Sequence, residues 1–400
     1  MRTRYVILRS PSSGGTETFG TRGGDGWRGR GATEAAVAEP PGVEVDELEP
    51  HRAAEVARRN DVLSVAPVLP MKLIAPVAVG VTAAPAAQGV TWGVQAVQAA
   101  TSPFTGDGIV VAVLDTGIDP SHPAFAGVEI VQNNFTTGKA DDEHGHGTHC
   151  AGTIFGRKVG GTRIGVAPGV RKALIGKVLG PGGGGSDKVV EAIQWAVREG
   201  ANVISMSLGI DFPGFVKELE TGGLPTEQAT SMALEGYRQN ILLFERLAQF
   251  IDAQNAFVQA ALLIAAAGNE SQRNGTPPFE IAVSPPAVAD GIVSVAALDK
   301  SPQGFVAAPF SNFGARVSGP GVNIESAKLG GGLTTMSGTS MATPHVAGVA
   351  ALWGEKLRKA GSLNGKLLAD KLIGHATTMK MKPGFEPDDV GAGMVVAPQG

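Results

Sequence analysis

The sequence predicts a doubly wound α/β domain, with a mainly parallel sheet and helices on both faces, preceded by a small α+β unit. Three observations carry this prediction. Apolar runs over 109–114, 173–178, 203–207, 262–267 and 292–297 do not alternate with polar residues, the pattern of strands covered on both faces. Helical spacing appears among them: Val189, Val190, Ile193, Ala196 and Val197 share one face, and 342–357 forms another apolar helix. The chain also changes character near residue 90, where Gly-, Arg- and Pro-rich sequence gives way to strands alternating with helices.

The N-terminal unit spans 1–75. A strand over 5–9 is followed by a Gly/Arg/Ser-rich loop over 10–31, a strand over 43–48, a helix over 50–59 and a strand over 62–69. An Ala/Val/Pro-rich linker occupies 76–89, and the main domain runs from 90 to 400. Within it, 211–261 is longer than strand–helix alternation requires. Its polar, Gly- and Pro-bearing start reads as a surface loop. A helix from about 227 follows, with Ile241, Phe244, Leu247, Ala248 and Ile251 on one face. Two readings of this insert are open: a packing helix, or a flap or docking element beside the site.

Four hundred residues with 43% hydrophobic and 18% charged content describe a globular chain. A net charge of −4 gives no electrostatic reason to expect nucleic acid or an anionic membrane as partner. The single cysteine, Cys150, excludes an intrachain disulfide. The apolar run before Arg9 is shorter than the roughly 7–15 residues of a secretory signal, and there is no apolar stretch of about 18 residues to span a membrane. A cytoplasmic location is the expectation, with export by another route left open.

Four segments carry chemistry. Val111-Ala-Val-Leu-Asp115-Thr-Gly117 places a carboxylate at the end of a buried strand. His146-Gly-Thr-His149-Cys-Ala-Gly152 places imidazoles at the start of a helix, and Gly338-Thr-Ser340-Met-Ala-Thr-Pro344 places a serine where a loop becomes one. Ala265-Ala-Ala-Gly-Asn269 ends a strand with a side-chain amide. A serine hydroxyl needs a neighbouring base, histidine titrates near neutrality, and a buried carboxylate orients the imidazole. An amide and the N–H of Ser340 at a helix N-terminus suit a developing oxyanion. Rival readings are a zinc site on His144, His146 and His149, and structural roles for all of these groups. Cys150 reads as a small buried hydrophobe.

In the order Asp115, His146, Asn269, Ser340, these motifs resemble the subtilase family of serine peptidases from about residue 90 to about 398. The resemblance implies a subtilisin-like fold and a serine endopeptidase, with Asp115, His146 and Ser340 as triad and Asn269 in the oxyanion hole. The cysteine after the HGTH motif resembles the proteinase K-like branch. The resemblance also implies that Gly182, Gly183 and Gly184 on one side, and Ser207, Leu208 and Gly209 on the other, sandwich an extended substrate. Ala266 and Gly268 would wall the specificity pocket, and Pro286 falls where the family carries a cis proline. Polypeptides are the implied substrates, and the N-terminal unit resembles a pro-segment whose tail threads the cleft as an intramolecular inhibitor. No cofactor is implied. Many subtilases hold calcium in a loop after the catalytic histidine. Here that loop reads Gly156-Arg-Lys-Val-Gly-Gly-Thr-Arg163, and Ala124 stands where an aspartate is wanted, so this metal site is not carried over. The alternative is a catalytically silent binding protein on the same fold, using 211–261 for a partner.

Overall fold

The unalternated apolar runs come together in one sheet. The computed structural model describes residues 2–10, 42–78, 89–255 and 260–400, with the backbone alone at 254 and 255. In chain order the first unit comprises β1 (Thr3–Arg9), β2 (Gly42–Leu48), α1 (Pro50–Val56) and β3 (Val62–Pro67), and β4 (Pro70–Leu73) follows. Next come α2 (Trp92–Ala96), β5 (Val110–Asp115), β6 (Glu129–Asn134), α3 (His146–Phe155), β7 (Lys158–Val159), β8 (Thr162–Arg163) and β9 (Lys172–Lys177). The middle of the chain forms β10 (Gly184–Gly185), α4 (Ser186–Arg198), β11 (Val203–Met206), β12 (Leu208–Ile210), α5 (Phe212–Thr221) and α6 (Thr226–Asn255). The rest of the framework is β13 (Leu262–Ala266), β14 (Ile292–Ser301), β15 (Gly304–Ala307), β16 (Val317–Pro320), β17 (Ile324–Ala327), β18 (Leu333–Met336) and α7 (Thr339–Lys359).

The central sheet runs β15-β14-β13-β11-β5-β9-β6, with β16 also on β14, and its pairs are parallel except β14–β15. Successive side chains on a strand face opposite ways. Val111 and Val113 accordingly pack with Ile154 of α3 and Val346 of α7, while Ala112 and Leu114 pack with Ile193 of α4 and Phe244 of α6. Two helical layers over one sheet bury both faces, which is why the runs lack alternation. β5, β11 and β13 are neighbours, so their carboxyl ends lie side by side, where ligands of open α/β sheets bind.

Among the described residues, the N-terminal unit is a three-stranded antiparallel sheet in the order β2-β1-β3. Tyr5 and Ile7 face α1 with Leu48, Ala53 and Val56. Val6 and Leu8 face the other way, into the cluster built by α4 and α6. Polar contacts add to this docking: Asn240 Nδ2 donates to Pro67 O at 2.9 Å, and Arg4 pairs with the buried Asp187 at 2.7 Å.

The insert departs from its sequence reading in one respect: its start is the helix α5 rather than a surface loop. Asp211 caps it, accepting from Gly214 N–H, and Pro213 sits in the first turn, where its missing N–H costs nothing. The long helix α6 buries Phe244, Leu247, Ala248 and Ile251, as its spacing predicts. No helix among the described residues is long and apolar enough to cross a membrane.

Candidate active site

Asp115 is the last residue of β5 and His146 the first of α3. His146 Nδ1 donates to both Asp115 oxygens, at 2.8 and 3.0 Å, and both residues are fully buried. The approach of α3 to β5 depends on Gly147, where a Cβ would collide with Gly117 O. Asp142, which the sequence reading missed, fixes the turn before His146. Its carboxylate accepts from Thr116 Oγ1, the N–H groups of His144, Gly145 and Thr148, and Thr148 Oγ1. Burial pushes its pKa up, but these hydrogen bonds prevail and hold it below the usual carboxylate value. The signal available in the sequence was an acidic residue shortly before the imidazole run.

Ser340 lies in the first turn of α7. Its Oγ donates to Ile74 O at 2.8 Å. Asn269, just beyond β13, is anchored through Oδ1, which accepts from Thr339 N–H and Thr339 Oγ1, both at 2.9 Å. The free end of that amide, Nδ2, donates to Ala75 O at 2.9 Å. Ser340 and Asn269 thus address successive carbonyls of one segment. His146 Nε2 is buried without a hydrogen-bond partner among the described residues. Burial opposes protonation of His146, but the adjacent Asp115 charge outweighs it, and its pKa lies well above the ordinary histidine value.

The other candidate groups have structural surroundings. His149 Nε2 bonds Ile324 O and His345 Nδ1 bonds Met341 O; burial drives their pKa values down to about 3 and about 4. Cys150 Sγ lies 3.7 Å from His146 Nδ1 and donates to Ser340 O at 3.4 Å, and burial pushes the thiol up. It is a packed thiol linking the histidine and serine segments. Asp115, His146 and Cys150 gather donor atoms within 4.8 Å, yet a metal there would compete with Asp115 for the same Nδ1.

The segment after β3 lies between two edges. β4 pairs antiparallel with β10, Met71 opposite Gly184 and Pro70 opposite Gly185, and with β12, Leu73 opposite Leu208 and Lys72 opposite Gly209. Ile74 N–H donates to Ser207 O at 3.4 Å. Gly183 adopts φ +84°, and a side chain on it would meet Met71 O. Pro181 and Gly182 form the turn, Gly183 closes it by pairing with Gly180, and Gly184 and Gly185 make the strand pairing. Ala266 ends β13 and Gly268 turns the chain at φ +115° toward Asn269. The Pro285–Pro286 bond is cis, and Pro285 O accepts from Ile210 N–H.

The loop after α3 does not fit a calcium ion. Arg157 donates to Phe155 O and Val170 O, and Arg163 to Ala99 O, Gly165 O and Val166 O. Guanidinium groups already occupy these carbonyl oxygens, and Ala124 offers no carboxylate. Backbone oxygens thus take both of these arginines.

A buried Asp–His pair, a serine at a helix start and an asparagine beside it, at the carboxyl edge of a parallel sheet, have the make-up of a serine hydrolase. The chain belongs to the subtilase family, whose model matches residues 106–391. It is 35% identical over 274 residues to a thermostable alkaline protease of Halalkalibacterium halodurans, covering 66% of this chain and 63% of that one. It is 34% identical over 279 residues to subtilisin Savinase of Lederbergia lenta, covering 68% and 86%. The crystal structure of a cold adapted subtilisin-like serine proteinase superimposes with a TM-score of 0.54 at 28% identity, over 77% of this chain and 96% of that one. The chain spans about three fifths of the length of the first curated relatives it matches.

Proposed function

We propose that this chain is a serine endopeptidase, made with an N-terminal pro-segment, that cuts its own Ile74–Ala75 bond and then other polypeptides. The observation that carries this reading is Ser340 Oγ against Ile74 O, in a segment held as a strand between β10 and β12. Ser340 Oγ bonds to the Ile74 carbonyl carbon as its proton passes to His146 Nε2. Asp115 holds the imidazole in the Nδ1–H tautomer and stabilises the imidazolium. Asn269 Nδ2 and Ser340 N–H receive the oxyanion, for which Asn269 turns from Ala75 O to the neighbouring oxygen. The C–N bond to Ala75 breaks as His146 returns the proton to the leaving amine. Water, deprotonated by His146, then releases the acyl group and restores Ser340.

Until 1–74 departs, its tail fills the cleft and keeps substrates out. Ile74 and Met71 are 2% and 1% exposed, which supports a preference for apolar side chains at the residue before the cut and three residues upstream. Labelling with a fluorophosphonate and casein hydrolysis test the reading. Wild type should show both and Ser340→Ala neither. Wild type without label would mark a silent binding protein of the family.

A further inference from the structure

We infer that Asp211 and Glu270 form a subsite for a basic side chain at the third residue before the cut. The position of the cut rests on the peptidase reading; the charge recognition is carried by β4 as it lies. Lys72 Nζ is 3.3 Å from Asp211 Oδ1 and 3.6 Å from Glu270 Oε1. Side chains alternate along a strand, so Lys72 shares the face of Ile74, and its pairing with Gly209 fixes its height in the cleft.

The two carboxylates come from separate chain segments, each with a partner that stays when the tail leaves. Asp211 follows β12 and caps α5 by accepting from Gly214 N–H at 3.3 Å. Glu270 follows Asn269, and its Oε2 accepts from Asn312 Nδ2 at 2.8 Å. Among the described residues, Lys72 is the only cation ion-paired with either. When the tail leaves, two preorganised carboxylates lose their cation, and a Lys or Arg on an incoming polypeptide restores it. The insert thereby acquires a role: its first residue reads the substrate.

Lys72, Asp211 and Glu270 are 37%, 34% and 38% exposed, so salt should screen their attraction. Fluorogenic copies of 71–76, Met-Xaa-Leu-Ile-Ala-Pro, with Xaa Lys, norleucine or Glu, test the subsite on the self-processed protein. Lys should exceed norleucine in kcat/KM by about threefold to tenfold at low salt, with Glu lowest. The gap should close towards about 1 M salt. Asp211→Asn, which still caps α5, and Glu270→Gln, which still meets Asn312, should each shrink the Lys-to-norleucine ratio.

A second readout needs no turnover. In the full chain carrying Ser340→Ala, Lys72→Glu should speed hydrogen exchange of the 71–74 amides, and adding Asp211→Lys should slow it again. If no peptide is cut, the peptidase reading fails and the exchange measurement alone decides the subsite. A ratio unchanged in both carboxylate variants, or exchange in Lys72→Glu equal to its parent, overturns the proposal.

Discussion

Of the two sheets that carry the fold, the central one is covered by α3 and α7 on one face and by α4 and α6 on the other. The N-terminal sheet covers one face with α1, through Tyr5, Ile7, Leu48, Ala53 and Val56. For its second face it depends on α4 and α6, on which Val6, Leu8 and Ala66 lie. Burying both faces is thus achieved within one domain in the first case and only by docking in the second. Cutting the chain at Ile74 would leave the first sheet untouched and hold the second by noncovalent contact alone. On the function proposed above, inhibition and its relief follow from that asymmetry.

The most drastic way to break the comparison is to remove the docking face. Among the described residues, 1–74 alone keep only the small cluster around Ile7, too little for independent stability at this size. They should show no cooperative thermal transition by circular dichroism, and a sharp one would place the two sheets on an equal footing. A second test separates chemistry from docking. Asn269→Ala should lower turnover by about 10²–10³-fold, the range known for loss of this type of donor in subtilisin, with little change in substrate binding. Retention of more than half the wild-type rate would remove Asn269 from the oxyanion site.

The pH profile comes next. Protonated His146 cannot accept the serine proton, so kcat/KM should fall about tenfold per pH unit below the pKa of this residue. Asp115 raises that pKa, so the limb should lie above the ordinary histidine value of about 6.5. A rate flat from pH 5 to 9, with chemistry limiting, contradicts the assignment. The smallest effect concerns metal. With Arg157 and Arg163 of this loop bonded to backbone carbonyls, Tm of Ser340→Ala should differ by less than about 2 °C between excess calcium and excess chelator, under about 1 kcal/mol for a domain this size. A ten-degree shift would show a strong calcium site.

The same asymmetry explains what could be read from the sequence. In the central sheet β5, β9, β11, β13 and β14 carry the continuous apolar runs because both of their faces are covered locally, and β5, β11 and β13 each deliver a site residue at or just past their ends. β4 was not legible as a strand, and only the family resemblance suggested that this tail threads the cleft. It contains Pro70 and Lys72 and has no period of its own, and its partners Gly184 and Gly209 lie more than a hundred residues away. α5 escaped because Pro213 and Gly214 read as loop residues, although Asp211 followed by Pro213 is a helix start. The ion pair of Lys72 with Asp211 joins a strand to a helix cap, and no local pattern announces it.

The central claim is that Ser340 attacks the carbonyl of Ile74, and intact-mass measurement of the purified full-length protein tests it most directly. Wild type should yield a fragment beginning at Ala75, while Ser340→Ala should keep the full-length mass. A wild-type chain that stays whole, or a Ser340→Ala chain cut at the same bond, would contradict the account.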